Sequence, residues 1–303
     1  MYKNIIHYRK CLLLPFFVLP ALAQLYSVSS TAQENAAPPA VKKVKPVKNT
    51  FESVWIIDNP TVMVPVKGTL EFDIQHRFGT VETGKKDFWG LFAPSNIRLG
   101  MQYAPINNLF VGAGVTKERF QVDINAKYAI LKQTRNVYPV SLTYFGNVVI
   151  DARDKSNFRN SMHRLSYFNQ LIVARKITEK LSVQVAPAFT WFNNVEAYVN
   201  SKGEIKNKMN NSHLSVSASG RYKISGKTAI IAGYDQPLTQ HTTNNPHPNI
   251  SFGIELTTSS HAFQLFAGNY YGITPQVNNF LNRNDYREGQ FLIGFNITRL
   301  WNF

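Results

Sequence analysis

The chain has 303 residues, 44% hydrophobic and 13% aromatic, and its 33 Lys and Arg against 18 Asp and Glu give a formal charge of +15. Its single cysteine, Cys11, lies in the leading apolar run, so a chain cut after that run has no disulfide, thiol nucleophile or cysteine-held zinc. A basic surplus suits nucleic acid, but the export signal at the front of the chain argues against that partner.

Met1 to Lys10 carry Lys3, Arg9 and Lys10, and the apolar run CLLLPFFVLP follows, ending in Ala21-Leu22-Ala23 before Gln24. A basic start, a short apolar stretch and an A-x-A ending read as a secretory signal peptide over residues 1–23. The run is about 13 residues, against the roughly 20 of a membrane-spanning helix. A second cut site follows Ala32. Cleavage after Ala23 removes three cations, so +15 falls to +12. The next stretch ends in QENAAPPAVKKVKPVKNT (33–50), rich in Pro, Ala and Lys with no repeating apolar face. We read residues 24–50 as a flexible periplasmic tail and 51–66 as a lead-in to one large domain over 51–303.

From Thr69 the pattern alternates with a period of two. In TLEFDIQHRF (69–78), Leu70, Phe72, Ile74 and Phe78 share one face and Glu71, Asp73, Gln75 and Arg77 the other. The same alternation recurs in 121–127, 213–222 and 249–257. About twelve such segments begin near Thr69, Asn96, Leu109, Phe120, Val140, Leu165, Leu181, His213, Thr228, Asn249, Ala262 and Gln290. Most run about nine to eleven residues, the length of a tilted strand that crosses a bilayer. The segment at Leu165 alternates poorly and Pro187 interrupts another, which leaves ten or fourteen strands as alternatives. Short links (106–108, 178–180, 225–227, 258–261) alternate with long polar ones (79–95, 152–164, 194–212, 239–248, 272–289). Alternating short turns and long loops predict an all-β, antiparallel, up-and-down transmembrane barrel of the outer membrane.

The chain closes with QFLIGFNITRLWNF, whose outward row includes Phe295, Ile297, Trp301 and the terminal Phe303. That row resembles the signal read by the barrel assembly machinery, a partner we expect alongside outer-membrane lipid. Arg299 intrudes on the row and would snorkel at an interface. Tyr103, Tyr128, Tyr138, Trp191, Tyr222, Tyr234 and Tyr270 stand at segment ends, as interfacial girdles do.

Several stretches together resemble a known family. NPTVMVPVKGTLEFDIQHRFG (59–79), FAPSNIRLGMQYAPINNLFVGAGVTK (92–117), AKYAILKQ (126–133), SFGIELTTSSHAFQLFAGN (251–269) and GFNITR (294–299) are similar to an outer-membrane β-barrel family known as domain of unknown function 5777. The resemblance implies a barrel and an outer-membrane address, and it assigns no catalytic residue. Where the family pattern has two glycines before the histidine, this chain has Ser259-Ser260 ahead of His261.

Chemistry-bearing residues are sparse. His213 and Ser215 stand two apart on a strand, hence on one face, but that face also carries Ser217, Ser219 and Arg221 and reads as lumen lining instead of a lipase pair facing lipid. His76 and His261 fall at opposite ends of the barrel and His241 and His247 flank a Thr/Asn/Pro loop, so we expect no metal centre and no cofactor. No phosphate-cradling glycine loop is present, and the protein reads as a non-enzyme.

By parity, Glu71, Asp73, Arg77, Arg98, Asp123, Lys127, Arg221 and Glu255 point into the lumen. Either they pair across a filled interior, or they line opposing walls of a narrow passage. The expectation is a narrow channel for small hydrophilic solutes with a preference for anions. The alternative is a closed scaffold whose loop aromatics (Phe88, Trp89, Phe92, Tyr198, Phe280 and Tyr286) bind a surface partner or fold inward to constrict the bore. The oligomeric state and the role of residues 51–66 stay open.

Overall fold

The computed structural model describes residues 45–303. The signal-peptide reading and most of the tail lie outside the described residues. In chain order, a short hairpin comes first, β1 (Trp55–Ile56) and β2 (Asn59–Pro60). Then follow β3 (Thr69–Thr80), β4 (Asn96–Ile106), β5 (Leu109–Thr116), β6 (Gln121–Leu131), β7 (Ser141–Asp151), β8 (Leu165–Lys176) and β9 (Leu181–Phe192). A second hairpin, β10 (Ala197–Val199) and β11 (Ile205–Asn207), precedes β12 (Ser212–Lys223), β13 (Thr228–Pro237), β14 (Asn249–Thr257) and β15 (His261–Gly268). Helix α1 (Pro275–Leu281) and β16 (Leu292–Asn302) complete the chain.

Twelve of these strands, β3–β9 and β12–β16, form one closed antiparallel barrel in which β16 pairs with β3 and β9 with β12. Closure leaves no free edge, so the backbone N–H and C=O groups of the wall can pair within the sheet, as a bilayer interior demands. All twelve expected segments are strands, each starting within two residues of its expected position. The alternation turns the usual globular pattern inside out. Met101, Val115, Ile124, Leu214, Phe252 and Leu265 are exposed on the outer face while Glu71, Asp73, Arg98 and Lys127 are buried within. Such a surface has hydrocarbon for its solvent.

Two irregularities seen in the sequence acquire physical reasons. Pro187 supplies no N–H, and the β8–β9 ladder has no paired residues between Gln170↔Ala188 and Val173↔Val185. β8 alternates poorly because Phe168 and Ile172 turn their apolar side chains inward.

Both ends of the barrel sequence and the short turns share one end. The long loops share the other: residues 81–95, 152–164, 193–211, 238–248 and 269–291. Two links depart from the simple alternation. The β5–β6 link at the long-loop end is only residues 117–120, and the β6–β7 link at the short-turn end is the nine residues 132–140. The latter receives the incoming chain: Pro46 bridges to Thr134, and Val47 N–H donates to the Gln133 carbonyl at 2.7 Å.

Candidate functional site

The barrel interior mixes polar clusters with apolar side chains. On β3–β6, Arg98 reaches Asp73 with Nη1 at 2.7 Å and clasps Asp123 through Nε at 2.7 Å and Nη2 at 2.9 Å. Gln102 donates to Glu71 and Asp73 at 3.1 and 3.2 Å. Space for the guanidinium comes from Gly100 and Gly114, paired across β4 and β5. A Cβ on Gly114 would stand 2.4 Å from Arg98 Nη2, and one on Gly100 2.4 Å from Asp73 Oδ2. Across the lumen Arg221 donates to Glu255 at 2.6 Å. All eight lumen candidates named above are at most 7% exposed.

Residues 51–64 enter this lumen and fill its middle. The β1–β2 hairpin makes no sheet with the wall; wall side chains hold its backbone instead. Lys127 Nζ donates to the Val54 carbonyl at 2.8 Å, Gln184 to that of Pro60 at 3.0 Å, and Thr143 to that of Val62 at 3.1 Å. Gln264 donates to the Trp55 carbonyl at 2.8 Å and accepts from Ile57 N–H at 3.0 Å, while Asn296 donates to the Ile57 carbonyl at 2.7 Å. At the hairpin tip Asp58 pairs with Arg77, and the Tyr270 hydroxyl also reaches Asp58. Asn59 donates to Asp235 at 2.9 Å. Tyr270, placed among the girdle aromatics by its position in the sequence, is therefore buried against this tip and does not face lipid.

The hairpin's apolar side chains meet inward-facing apolar side chains of several wall strands. Phe51, Val54, Trp55, Ile56 and Val62 pack with inward-facing Phe110, Phe145, Phe168, Ile172, Ile231 and Phe266. Trp55 stands edge-on to Phe145 at 5.7 Å, and Lys127 lies 5.4 Å from the Trp55 ring. At roughly 1.5–3 kcal/mol per fully buried large side chain, this packing holds the hairpin with on the order of 10 kcal/mol.

From the long-loop end a second element closes the bore. Thr274 precedes α1, with Pro275 at its first turn, and Thr274 Oγ1 donates to Gln121 of β6 at 3.0 Å. Gln276 donates to Asn147 Oδ1 of β7 at 2.7 Å. Phe280 packs inward on Phe192, His241 and His213, with ring centroids at 4.6, 5.0 and 5.5 Å. His213 Nδ1 and His241 Nε2 are 3.0 Å apart, and His241 Nδ1 accepts from the Asn210 N–H at 3.0 Å. That backbone donor leaves Nδ1 of His241 bare and assigns its proton to Nε2, which donates to His213.

A family model described as a membrane bound beta barrel domain (DUF5777) matches residues 51–301. The chain belongs to this family. For this DUF5777 barrel, no curated protein matches the sequence. Solved structures similar to it include the NanC porin, at 10% identity over 77% of this chain and 99% of that one with a TM-score of 0.45. An outer-membrane channel from Pseudomonas putida F1 is 12% identical over 79% and 97%, at 0.49. The translocator domain of the autotransporter NalP from Neisseria meningitidis is 12% identical over 80% and 91%, at 0.41. The likeness is one of barrel shape.

Within the DUF5777 barrel, Ser215 Oγ has no hydrogen-bond partner among the described residues, and His213 spends its Nδ1 on His241. His76 stacks on Phe295 on the outer face, whereas His261 stacks on Phe263 at the short-turn end. His247 lies 3.5 Å from Asp285. Among the described residues no group of three or more His, Cys, Asp or Glu is arranged to hold a metal ion. Phe295, Ile297 and Trp301 stand on the outer face of β16, Arg299 lies 4.7 Å from the Trp301 ring, and Phe303 is 86% exposed. Sequence reasoning left the seat of residues 51–66 open and offered an inward fold of Phe280 only as an alternative. Their signal was the apolar residues that share the polar lumen face of β5, β7, β8 and β15: Phe110, Phe145, Phe168 and Phe266.

Proposed function

We propose that this protein is an outer-membrane barrel acting as a gated passage for small polar solutes, closed at rest by its own N-terminal hairpin. Residues 45–50 and the short turns then face the periplasm and the long loops the exterior. The observation that carries this reading is that the hairpin occupies the bore without joining the wall. The hydrogen bonds between wall and hairpin run through side chains, and the barrel ladder from β3 to β16 is complete without it. Withdrawal toward the periplasm would therefore break no strand pairing. The wall it would uncover on β12–β14 is small and polar, with Ser217, Ser219, Gly233 and Ser251. The eight inward charges are four acids and four bases, and buried Asp235 adds a carboxylate, so this reading carries no preference for anions. Nothing in it calls for catalysis. By the same reading, the outward row ending at Phe303 is what the assembly machinery would grip.

A closed scaffold is the second reading, favoured by the apolar match between hairpin and wall. Planar-bilayer conductance separates the two. The refolded mature chain should be silent when Asn59→Cys and Asp235→Cys are oxidised to a disulfide. Removal of residues 24–66 should give discrete steps. Silence from a truncated barrel that is folded would sink the passage and leave the scaffold.

A further inference from the structure

The fourth loop, residues 193–211, carries the β10–β11 hairpin above the barrel rim, with Tyr198 opposite Lys206 in its register. The hairpin is built, not loose. Asn200 Oδ1 accepts from Lys202 N–H at 3.0 Å and Glu204 N–H at 2.9 Å, and Gly203 takes the left-handed conformation at φ 77°. Its base is tied down by Lys208 N–H to the Glu196 carbonyl at 2.8 Å and by Thr243 N–H to the Lys208 carbonyl at 3.2 Å. Between this hairpin and the rim lies an open groove of about 630 Å³, inside the roughly 300–1,000 Å³ range of small-molecule sites.

Its walls have a particular chemistry. One side presents Tyr198, Asn200 and Lys206; the other presents Trp191, Asn210 and Thr242. Trp191 is fixed, its indole N–H already spent on Asn193 Oδ1 at 2.8 Å. The hydroxyls of Tyr198 and Thr242 make no hydrogen bond among the described residues, nor does the Asn210 side-chain oxygen accept one; the Asn210 amide nitrogen is engaged with the Gln240 carbonyl at 3.2 Å. The groove thus combines two aromatic platforms, unspent hydroxyl and amide groups, and one cation. Aromatic faces take the C–H side of a pyranose ring, while hydroxyls and amide oxygens match its alternating donors and acceptors. A peptide partner would ask for a deeper apolar pocket, and a nucleotide for more than one cation.

We infer that this groove binds a saccharide, a role independent of whether the bore conducts. Lys206 lies 3.1 Å from Glu204 and is available to an acidic sugar when that pair opens. The sugar could be the headgroup of an outer-leaflet glycolipid or a free glycan, and the test distinguishes them. The refolded full-length protein in detergent is presented to an array of soluble oligosaccharides and, separately, titrated with purified lipopolysaccharide. Tyr198→Ala, on an exposed hairpin away from the barrel ladder, should weaken whichever binding is seen by at least about tenfold, and Trp191→Ala likewise. Phe120→Ala, an exposed aromatic in the β5–β6 link, should leave it unchanged. Binding to soluble glycans with this pattern assigns a free sugar; binding to lipopolysaccharide alone assigns the glycolipid. No binding to either probe by a protein that keeps its heat-modifiable barrel, or binding indifferent to Tyr198→Ala, overturns the inference.

Discussion

Arg98 is 3% exposed and is held by two carboxylates, Asp73 on one strand neighbour and Asp123 beyond the other. A buried guanidinium in such a nest is expensive to disturb, because removal leaves two carboxylates uncompensated in a region poor in water. We expect Arg98→Leu to destabilise the refolded barrel by about 3–5 kcal/mol, measured as a lower urea midpoint with an unchanged slope. Gly114→Ala should move in the same direction, since its methyl would occupy the space of the Arg98 side chain. An Arg98→Leu barrel that unfolds at the wild-type urea concentration would show the nest to be ornamental. At the same scale, Ile57 adopts φ 57°, a conformation that β-branched residues resist. Gln264 and Asn296 take up its N–H and carbonyl, so two wall amides hold a strained residue at the turn that plugs the bore. The inward direction of Arg98 followed from parity alone. That Arg98 serves two carboxylates required the register of β3–β6, which no single segment carries.

Among the elements, the long-loop lid is the one whose stability should answer to pH. His241 joins the Asn210 backbone to His213 only while it is neutral with a bare Nδ1. Burial pulls its pKa below the ordinary histidine value, and the nearby Arg283 cation adds to this. Other charges near the lid are Glu196, held by Asn244, and Asp285 beside His247. A histidine depressed in this way stabilises the fold fully above its unfolded pKa of about 6.5, and that contribution drains away as pH falls below it. Protection against amide exchange at Asn210 and through residues 238–248, corrected for the intrinsic slowing of exchange in acid, should thus fall between pH 7.5 and 4.5. His241→Gln, whose amide both accepts and donates without titrating, should flatten that dependence; protection that is the same at both pH values would discard the latch. The strands were legible because lipid outside and polar groups inside impose a period of two on most of them, β8 being the poorest case. The lid was not, because α1 is a seven-residue, amide-rich stretch whose place is set by contacts to β6, β7 and the histidines. The Thr274-Pro275 start was its one local sign.

For the whole molecule, what matters is how strongly the plug and the ring depend on each other. The ring is closed by its own twelve strands, with the last paired to the first, so the hairpin adds nothing to the backbone ladder. It does cover Phe110, Phe145, Phe168, Ile172 and Phe266, which would otherwise line a wet bore. Deleting residues 24–66 should therefore leave a barrel that still migrates as a folded, heat-modifiable species. That barrel should melt at a lower temperature and bind an apolar dye such as ANS, which the intact chain excludes. The size of the melting shift then reports how much stability the seated hairpin contributes, and so what its withdrawal under the proposed gating would cost. A large shift means that opening needs work from outside, by a pull on the periplasmic tail or by a ligand that prefers the open wall. A shift near zero would mean that packing of the hairpin on these apolar wall residues stabilises nothing. The hairpin would then be held by the Arg77–Asp58 pair and the carbonyl contacts alone, and its escape should be frequent enough to appear as spontaneous current in the intact protein.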